Sequence, residues 1–271
     1  MAPIIKSRVR SGFDHGAKEY ATAAVLQNQT AANLARWALA LCPKGGMALD
    51  IGCGPGALSE KLAESGNFGR IVAVDISSAM TLAAREKLSK YRCVSIVQGD
   101  AEALPVKAGS CDIAVSNMVF QWLPDLKSAF SGIQSALKNK GRAEIVYLGE
   151  NTFAEIRDAA LSALANAGKK GSAGIFHPFP RQADVAKAAR DAGLLPLETT
   201  SSIHTLEYRS VREMMLQLKM QGVQNNIGLS ALGLGRRGVM ASFAEEYAAM
   251  FGADGGIRLT YHVVRLSAVK Q

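Results

Sequence analysis

The sequence predicts an α/β fold in which a mostly parallel, seven-stranded sheet carries helices on both faces. Three observations predict it. Short apolar segments typical of strands alternate with longer helical segments, a glycine-rich loop joins the first of these strands to a helix, and apolar side chains make up 48% of the 271 residues. That apolar content supplies the core of one globular domain and excludes a disordered chain.

The region before the first strand, residues 1–42, predicts a helical cap. Residues 17–41 contain no Gly or Pro and are rich in Ala, Leu and Gln, so they predict one helix that ends before Pro43. The basic residues from Lys6 to Arg10 are not followed by an apolar segment. They predict a solvated arm rather than a targeting peptide.

The region 43–150 predicts the core of the sheet, because strands and helices alternate in it. Its predicted elements are strand 47–51, helix 56–65, strand 71–74, helix 77–90, strand 94–97, strand 113–115, helix 125–138 and strand 143–148. Further on, the predicted elements are helix 152–167, helix 181–192, strand 197–206, helix 211–221, helix 236–250 and strand 259–266. We interpret residues 151–195 and 207–257 as insertions after the fifth and sixth strands of a single domain, 1–271.

The cysteines and histidines are too scattered to predict a metal site. The four cysteines form no C-x-x-C pair, and the four histidines are equally dispersed. This pattern predicts no metal and a reducing, cytoplasmic location. No run of 18 or more uncharged apolar residues could cross a bilayer, so we expect no membrane association. The net charge of +8 favours an acidic partner.

The most informative segment is the glycine-rich loop after the first strand. Asp50 lies near the end of that strand, and Gly52, Gly54 and Gly56 follow it and lead into a helix. Glycines permit a tight turn and let the backbone approach a ligand closely. The G-x-G-x-G spacing differs from G-x-G-x-x-G, and the preceding carboxylate would repel a phosphate. Both features argue against a dinucleotide as the ligand of this loop.

Two further acids follow the next two strands. Asp75 ends the strand 71–74, and Asp100 comes after the strand 94–97. A carboxylate at the first position can accept both hydroxyls of a ribose, and one at the second can accept an adenine amino group. Together with Asp50 they suit a cationic ligand that combines an amino acid with a nucleoside. S-adenosylmethionine has those properties.

These segments together resemble the class I S-adenosylmethionine-dependent methyltransferases, which have a Rossmann-like fold. The resemblance rests on residues 49–56, 75–80, 99–105 and 112–117. It implies that Asp50 and the loop glycines lie beside the methionine moiety of the cofactor and that Asp75 binds its ribose. The further cofactor contacts that it implies are Ile76 and Met80 on the adenine ring, Asp100 and Ala101 at the adenine edge, and Asn117 near the methionine end.

More of the chain is similar to a narrower group, the malonyl-acyl-carrier-protein O-methyltransferases of biotin synthesis. The similarity includes Phe13 with Tyr20, residues 26–29, S-N-M-V-F-Q-W at 116–122, residues 176–179, L-K-M-Q-G at 218–222 and L-T-Y-H at 259–262. It implies S-adenosyl-L-methionine as cofactor, methylation of the free malonyl carboxylate, and acyl carrier protein as partner. It also implies that Gln27 contacts the cofactor.

The implied reaction needs little acid–base help. Carboxyl groups titrate near ~4, so the nucleophile is already ionised at neutral pH. Catalysis then comes from exclusion of water and from alignment, which can supply on the order of 7–11 kcal/mol. The helix that carries Tyr20 would close over the cofactor as a lid. The candidate residues are Tyr20, Gln121 and Trp122 for catalysis, and Phe120, His177 and Phe179 on the substrate side.

The basic side chains between residues 207 and 237 predict a docking surface for the carrier. Acyl carrier proteins are acidic, so complementary charge would steer them to such a surface. The predicted docking residues are Arg209, Arg212, Lys219, Arg236 and Arg237.

Three alternatives stay open at this point. A small-molecule methyltransferase acting on a quinone-type precursor would need no docking surface. An RNA methyltransferase would carry an appended basic module or an N-P-P-Y-type motif, which the sequence lacks, so we expect no nucleic acid partner. A cofactor-binding assembly factor of a respiratory complex has a similar tryptophan segment. The L-T-Y-H segment at 259–262 and residues 26–29 favour the biotin group.

Overall fold

The computed structural model describes residues 4–166, 168, 176–223, 237–253 and 255–271. One sheet runs through this part of the chain in the order β3-β2-β1-β4-β5-β8-β6, with β7 paired to β8 beside it. The strands are β1 Met47–Ile51, β2 Arg70–Asp75, β3 Val94–Gln98, β4 Cys111–Asn117, β5 Leu137–Leu148, β6 Leu194–Tyr208, β7 Gly252–Ala253 and β8 Gly256–Lys270. Strands β1 to β5 pair in parallel, whereas β8 is antiparallel to both β5 and β6. The predicted mostly parallel sheet is confirmed, and the two-residue β7 is an addition to it.

Helices cover both faces of the sheet, as the sequence predicts. They are α1 Lys6–Ala23, α2 Val25–Leu41, α3 Ala57–Glu64, α4 Ser78–Leu88, α5 Leu126–Ala136, α6 Ala154–Asn166, α7 Gln182–Asp191, α8 Val211–Met220 and α9 Arg237–Phe251. One apolar cluster joins the sheet to α2, α3, α6, α8 and α9, and a second joins the opposite face to α5 and α7. Burial of these two clusters supplies the main stabilisation of the fold.

The N-terminal cap differs from the prediction in two ways. The single helix predicted for residues 17–41 is wrong, because the chain breaks at Ala24 (φ −88°, ψ 49°) between α1 and α2. The solvated arm predicted near Lys6 is also wrong, because α1 begins there and Val9 is buried. Neither feature has a local signal. Both depend on contacts of α1 with distant parts of the chain.

The strands of the second half extend beyond their predicted ends. β6 and β8 pair from Leu194 opposite Lys270 to Tyr208 opposite Ile257, with one shift of register between Pro196 and Glu198. The apolar alternation that marks a half-buried strand covers only part of this ribbon, because most of β6 is exposed. The helices α6 and α8 lie within the segments predicted as insertions, 151–195 and 207–257. The role of these segments in substrate binding stays a prediction.

Candidate active site

A cavity of about 740 Å³, including the part open to solvent, lies at the carboxyl ends of the central strands. Carboxyl ends of parallel strands meet at one edge of a sheet, and ligands bind there in open α/β folds. Helix α1 forms the outer wall through Lys6, Val9, Phe13 and Tyr20, whose spacing places them on one helical face. The predicted site residues that line the cavity are Tyr20, Gly52, Gly54, Asp75, Ile76, Met80, Asp100, Ala101, Asn117 and Trp122.

The glycine loop folds tightly over the end of β2. The amides of Gly52 and Cys53 both donate to the carbonyl of Val74, at 2.7 and 3.0 Å. A Cβ at Gly52 would lie 2.2 Å from the side chain of Val119, whereas one at Gly54 would meet no atom within 4 Å. Both glycines have positive φ, 69° and 54°. The loop therefore needs glycine for its conformation and leaves open space above Gly54 for a ligand.

Gly56 differs from the other two loop glycines in its surroundings, because it packs against α4. A Cβ there would lie 2.7 Å from Cδ1 of Leu88, so this glycine lets α3 begin close to α4. It does not line the cavity. The predicted cofactor residue thus supports the loop from behind rather than facing the open space.

Two backbone amides fix the carboxylate of Asp75 in the cavity. One carboxylate oxygen accepts from the amide of Gly54 and the other from the amide of Ser77, both at 2.8 Å. Burial raises the pKa of this carboxyl above its usual range, with a further contribution from nearby Asp14. A carboxylate offers about four acceptor positions. The two backbone donors fix its orientation and leave acceptor capacity for hydroxyl groups.

Asp50 lies behind the glycine loop and does not line the cavity. Its side chain is 1% exposed and accepts a hydrogen bond of 2.6 Å from the hydroxyl of Ser59 in α3. Burial, together with the charge of Asp75, raises its pKa to about 7. The structure therefore does not bring this predicted cofactor residue into the cavity, and its part in cofactor binding stays a prediction.

Asp100 forms an ion pair with Lys6, a residue that the sequence predicts to lie in a solvated arm. The ammonium of Lys6 lies 2.6 Å from one oxygen of Asp100 and also forms an ion pair with Glu102. Burial acts to lower the pKa of Lys6, but its bonds to the two acids raise it overall. The other oxygen of Asp100 accepts from the amide of Glu102 at 2.9 Å. An adenine amino group at Asp100 would have to share the carboxylate with Lys6.

A second group of acceptors lies at the end of β4. The side-chain nitrogen of Asn117 donates to the carbonyl of Gln27 at 2.9 Å. The buried side-chain oxygens of both residues have no hydrogen-bond partner within the described part of the chain. Buried polar atoms rarely stay unpaired in native proteins. These two oxygens therefore suit a ligand that brings hydrogen-bond donors, such as an ammonium group. Gln27 itself is not among the cavity-lining residues.

The turn after β4, Phe120–Trp122, sends its three side chains in different directions. Trp122 lines the cavity and packs against Phe13 in a T-shaped arrangement, with ring centroids 6.1 Å apart. Gln121 is 2% exposed, donates to the carbonyl of Met118 at 2.8 Å and accepts from the amide of Leu148 at 3.2 Å. Its amide holds the backbone and does not line the cavity.

Phe120 faces away from the cavity. Its ring packs on Phe130 with centroids 4.9 Å apart, in the apolar cluster on the opposite face of the sheet. The left-handed backbone of Met118 (φ 60°) turns the chain before these residues. The alternation of the strand therefore does not continue through the turn, and the structure does not bring Phe120 to the predicted substrate side.

His177 and Phe179 lie behind Trp122, outside the main cavity. The ring centroids of His177 and Trp122 are 4.5 Å apart, and Nε2 of the histidine donates to the carbonyl of Gln121 at 2.7 Å. Burial lowers the pKa of His177 to about 4, so the ring is neutral at physiological pH. Both residues line a smaller cavity of about 350 Å³, together with Phe153 and Arg157.

The predicted docking residues are only partly described. Arg209 is paired at 3.0 Å with Glu213 in the first turn of α8, and Arg212 and Lys219 are exposed on the same helix. Arg236 lies outside the described residues, and α9 begins at Arg237, whose side chain is not described. Docking at this surface stays a prediction.

Two other kinds of site have no candidate in the part of the chain that the structure describes. No group of three or more His, Cys, Asp or Glu residues there is arranged to hold a metal ion. No helix within the described ranges combines the length and apolarity that a membrane span requires.

The fold and the glycine loop with its strand-end acids define a methyltransferase of class I. The family described as Methyltransferase domain matches residues 49–145, which span the glycine loop, Asp75, Asp100 and Asn117. Solved structures agree on the fold. The YcgJ protein from Bacillus subtilis has a TM-score of 0.62 at 16% identity and covers 90% of this chain and 99% of its own. A geranyl diphosphate C-methyltransferase from Streptomyces coelicolor, in complex with S-adenosyl-L-homocysteine, has a TM-score of 0.53 at 15% identity, with 90% and 76% covered.

Curated relatives identify the group within this class. A malonyl-[acyl-carrier protein] O-methyltransferase of Geobacter sulfurreducens is 30% identical over 96% of this chain and 97% of its own length. One of the same name from a Methylovorus species is 32% identical over 96% and 88%. The biotin biosynthesis bifunctional protein BioHC of Saccharophagus degradans is 32% identical over 95% of this chain and 45% of its length. The chain belongs to the malonyl-[acyl-carrier protein] O-methyltransferase family.

Proposed function

We propose that this protein transfers a methyl group from S-adenosyl-L-methionine to the free carboxylate of malonyl-acyl carrier protein, as a cytoplasmic enzyme of biotin synthesis. The observation that carries the proposal is the similarity to malonyl-[acyl-carrier protein] O-methyltransferases over nearly the whole chain. The predicted cofactor residues that line one cavity support it independently.

The residues of the cavity fit S-adenosyl-L-methionine in shape and charge. Asp75 would accept the ribose hydroxyls, because its carboxylate is fixed by two backbone amides and retains acceptor capacity. The unpaired side-chain oxygen of Asn117 would accept from the ammonium group of the methionine moiety. Ile76 and Met80 provide apolar walls for the adenine ring. The carboxylates of Asp50 and Asp75 favour a cationic ligand.

When bound, the cofactor supplies an electrophilic methyl group on a sulfonium sulfur. The work of the chain is to hold the malonyl carboxylate in line with that methyl group and to keep water out. Trp122, Phe13 and Val9 give the cavity apolar walls next to Asn117. A cavity of low polarity favours this reaction because two opposite charges disappear as the ester forms.

Tyr20 is our candidate for the group that orients the carboxylate. Burial, reinforced by Asp75, raises the pKa of its hydroxyl above the usual range, so it stays protonated. A protonated hydroxyl can donate a hydrogen bond to one carboxylate oxygen while the other is left to react. No residue is required as a general base, since the carboxylate is already ionised.

Docking of the acidic carrier is assigned to α8. Arg212 and Lys219 are exposed on this helix, and α1, which covers the cavity, packs against it.

The variant Arg212→Gln/Lys219→Gln should raise the KM for malonyl-acyl carrier protein about tenfold at low salt, with less effect at high salt. Its affinity for S-adenosyl-L-methionine should stay the same. Lys44→Gln/Arg70→Gln is the matched control, because these exposed cations lie at the opposite edge of the sheet. An equal KM in both double variants would remove α8 as the docking surface.

The proposed reaction is tested by incubating the protein with methyl-labelled S-adenosyl-L-methionine and malonyl-acyl carrier protein. We expect one added methyl group on the acyl chain, located by mass spectrometry of the released phosphopantetheine arm. Acetyl-acyl carrier protein, which lacks the free carboxylate, is the control and should gain no methyl group. A methyl group found on the carrier protein itself, or no transfer, would contradict the proposal.

A further inference from the structure

At the C-terminus of α8, the side chain of Gln221 points toward the N-terminal cap. The amide of Gly222 donates to the carbonyl of Lys219 at 2.9 Å, and that of Val223 donates to the carbonyl of Leu218 at 3.0 Å. Gly222 has a φ of 71°. This pair of bonds with a left-handed glycine is the Schellman motif, and it places Gln221 at the helix cap. The side chain of Gln221 is fixed between helices, with 4% exposure.

The amide group of Gln221 bridges the break between α1 and α2. Its nitrogen donates to the carbonyl of Ala23 at 2.9 Å, and its oxygen accepts from the side-chain nitrogen of Gln27 at 3.1 Å. Ala23 is the last residue of α1, and carbonyls in the last turn of a helix have no partner within the helix. Gln221 supplies that partner, and it ties the end of α1 to the first turn of α2.

The backbone of α1 rests directly on the same helix end. A Cβ at Gly16 would lie 2.8 Å from the carbonyl oxygen of Met220, and a Cβ at Gly222 would lie 2.7 Å from that of Gly12. Gly16 on α1 and Gly222 at the end of α8 therefore allow a backbone contact that a larger residue at either position would prevent. The position of α1 along and around α8 is fixed by this contact, and Gln221 fixes its C-terminal end.

Both ends of this network reach the cavity. Tyr20 lies three residues before the Ala23 carbonyl, on the face of α1 that lines the cavity. On the other side, the carbonyl of Gln27 accepts from the side chain of Asn117, which also lines the cavity. A single buried amide thus joins the lid helix, the first turn of α2 and the end of β4.

We propose that Gln221 is a positioning residue that sets the angle between α1 and α2 and thereby holds Tyr20 and Asn117 in register across the cavity. It does not line the cavity, and it acts through the Ala23 carbonyl and Gln27. Its effect on catalysis rests on the proposed methyl transfer, whereas its effect on the position of α1 does not. The residue also connects the lid to the helix assigned to carrier docking.

The test compares three variants of the full-length protein by hydrogen exchange without ligand, and by calorimetry with S-adenosyl-L-homocysteine. Gln221→Met keeps the side-chain length and removes both bonds. Gln221→Glu retains an acceptor for Gln27 and removes the donor to the Ala23 carbonyl. Gln217→Met is the control, because Gln217 lies one turn earlier on α8 and its side chain makes neither of these bonds.

In Gln221→Met we expect about tenfold faster exchange in residues 12–23 and about tenfold weaker ligand binding, the loss that follows when buried partners are left unsatisfied. Protection in the central strands and in α8 should stay at the level of the control. With malonyl-acyl carrier protein, kcat should fall while KM changes less than twofold. Gln221→Glu should show the faster exchange near Ala23 with a smaller loss of binding.

The proposal is overturned if exchange in α1 matches the control, or if protection is lost uniformly across the sheet. If Gln221→Met fails to fold, hydrogen exchange in α1 is compared between Gln221→Glu and the control instead. Equal exchange in these two variants would then overturn the proposal. A protein that binds the ligand and shows the selective change in α1, yet transfers no methyl group, would contradict the proposed function and leave the positioning role supported.

Discussion

The two halves of the molecule use their sequence motifs in different ways. In the first half, the loop glycine Gly54 and the strand-end side chains Asp75, Asp100 and Asn117 meet at one cavity. In the second half, the L-T-Y-H segment lies inside β8 and contacts other parts of the fold. The hydroxyl of Tyr261 is 3.1 Å from that of Tyr208. The motifs at strand ends therefore line the cavity, whereas the L-T-Y-H motif within β8 contacts neighbouring parts of the fold.

The buried polar groups of β8 illustrate the second kind of motif. Glu155 in α6 accepts from the amide of Thr260 at 3.2 Å and from its hydroxyl. The amide of His262 donates to the hydroxyl of Thr152 at 3.1 Å. These bonds attach the start of α6 to the middle of β8 and do not reach the cavity. Substitutions in the two halves should therefore separate ligand binding from stability.

The largest effect is expected at Asp75. Asp75→Asn replaces an acceptor-only carboxylate with an amide whose nitrogen faces backbone donors, and it removes a charge complementary to a cation. We expect at least about 100-fold weaker binding of S-adenosyl-L-methionine by calorimetry, since hydrogen bonds to charged groups are the strong ones.

Asp112→Asn is the matched control for Asp75. Asp112 lies at the start of β4, where it accepts from the amide of Met47 and pairs with Lys138 at 2.8 Å. Its replacement should alter stability but not affinity. Equal losses of affinity in both variants would contradict the view that the ligand binds at the carboxyl ends of the strands and not at their amino ends.

Asp50 should make binding depend on pH. Its pKa of about 7 means that the carboxylate becomes charged between pH 6 and 8, which favours a cationic ligand. Wild-type affinity for S-adenosyl-L-methionine should rise about tenfold over this range, and the rise should largely disappear in Asp50→Asn. Calorimetry at several pH values checks this, and an unchanged slope in the variant would show that another group titrates.

The same carboxyl has the opposite effect on stability. The folded pKa is raised above the unfolded value of about 4, so the folded state binds more protons between these values. The contribution of Asp50 to stability is therefore fully present below the unfolded pKa and is lost as the pH rises toward 7. Urea denaturation of Asp50→Asn should show a weaker loss over this window than wild type.

Tyr261 tests the second half of the molecule. Tyr261→Phe removes one buried hydroxyl contact with Tyr208 and should lower the free energy of unfolding by about 1 kcal/mol. Affinity for S-adenosyl-L-methionine should remain at the wild-type value. A loss of affinity without a change in thermal stability would place the L-T-Y-H segment among the ligand-binding motifs.

Lys6 gives the smallest expected effect. Its pairs with Asp100 and Glu102 are about one-third exposed on the lysine side, and exposed ion pairs contribute little. Lys6→Met should strengthen ligand binding about threefold, because it frees the carboxylate of Asp100 for an adenine amino group, and the difference should shrink in high salt. Lys87→Met, which removes a pair with Glu60 on another face, is the control. Weaker binding in Lys6→Met than in the control would show that Lys6 does not compete with the ligand for Asp100.

The sequence predicts the first half well because its geometry is regular. Parallel strands bring their carboxyl ends together, so the order of the strands along the chain is enough to assign Asp75 and Asp100 to one edge of the sheet. The positions of Phe120 and Gln121 could not be predicted in the same way. They follow a residue with a left-handed backbone, Met118, and no residue type marks that turn.

The cap is the least predictable part, because distant residues determine it. No Gly or Pro marks the break at Ala24, and the side chain that bridges it, Gln221, comes almost two hundred positions later in the sequence. Lys6 likewise depends on acids that lie beyond β3. Local patterns specify helices here but not how two helices meet.

A crystal structure with S-adenosyl-L-homocysteine would show whether the cofactor binds in the cavity beside Asp75 and Asn117. We expect the ribose hydroxyls on the carboxylate of Asp75, the ammonium group at the side-chain oxygen of Asn117, and α1 closed over the ligand through Tyr20. A ligand bound elsewhere, or one in this cavity that leaves Asp75 bonded to backbone amides alone, would contradict this expectation.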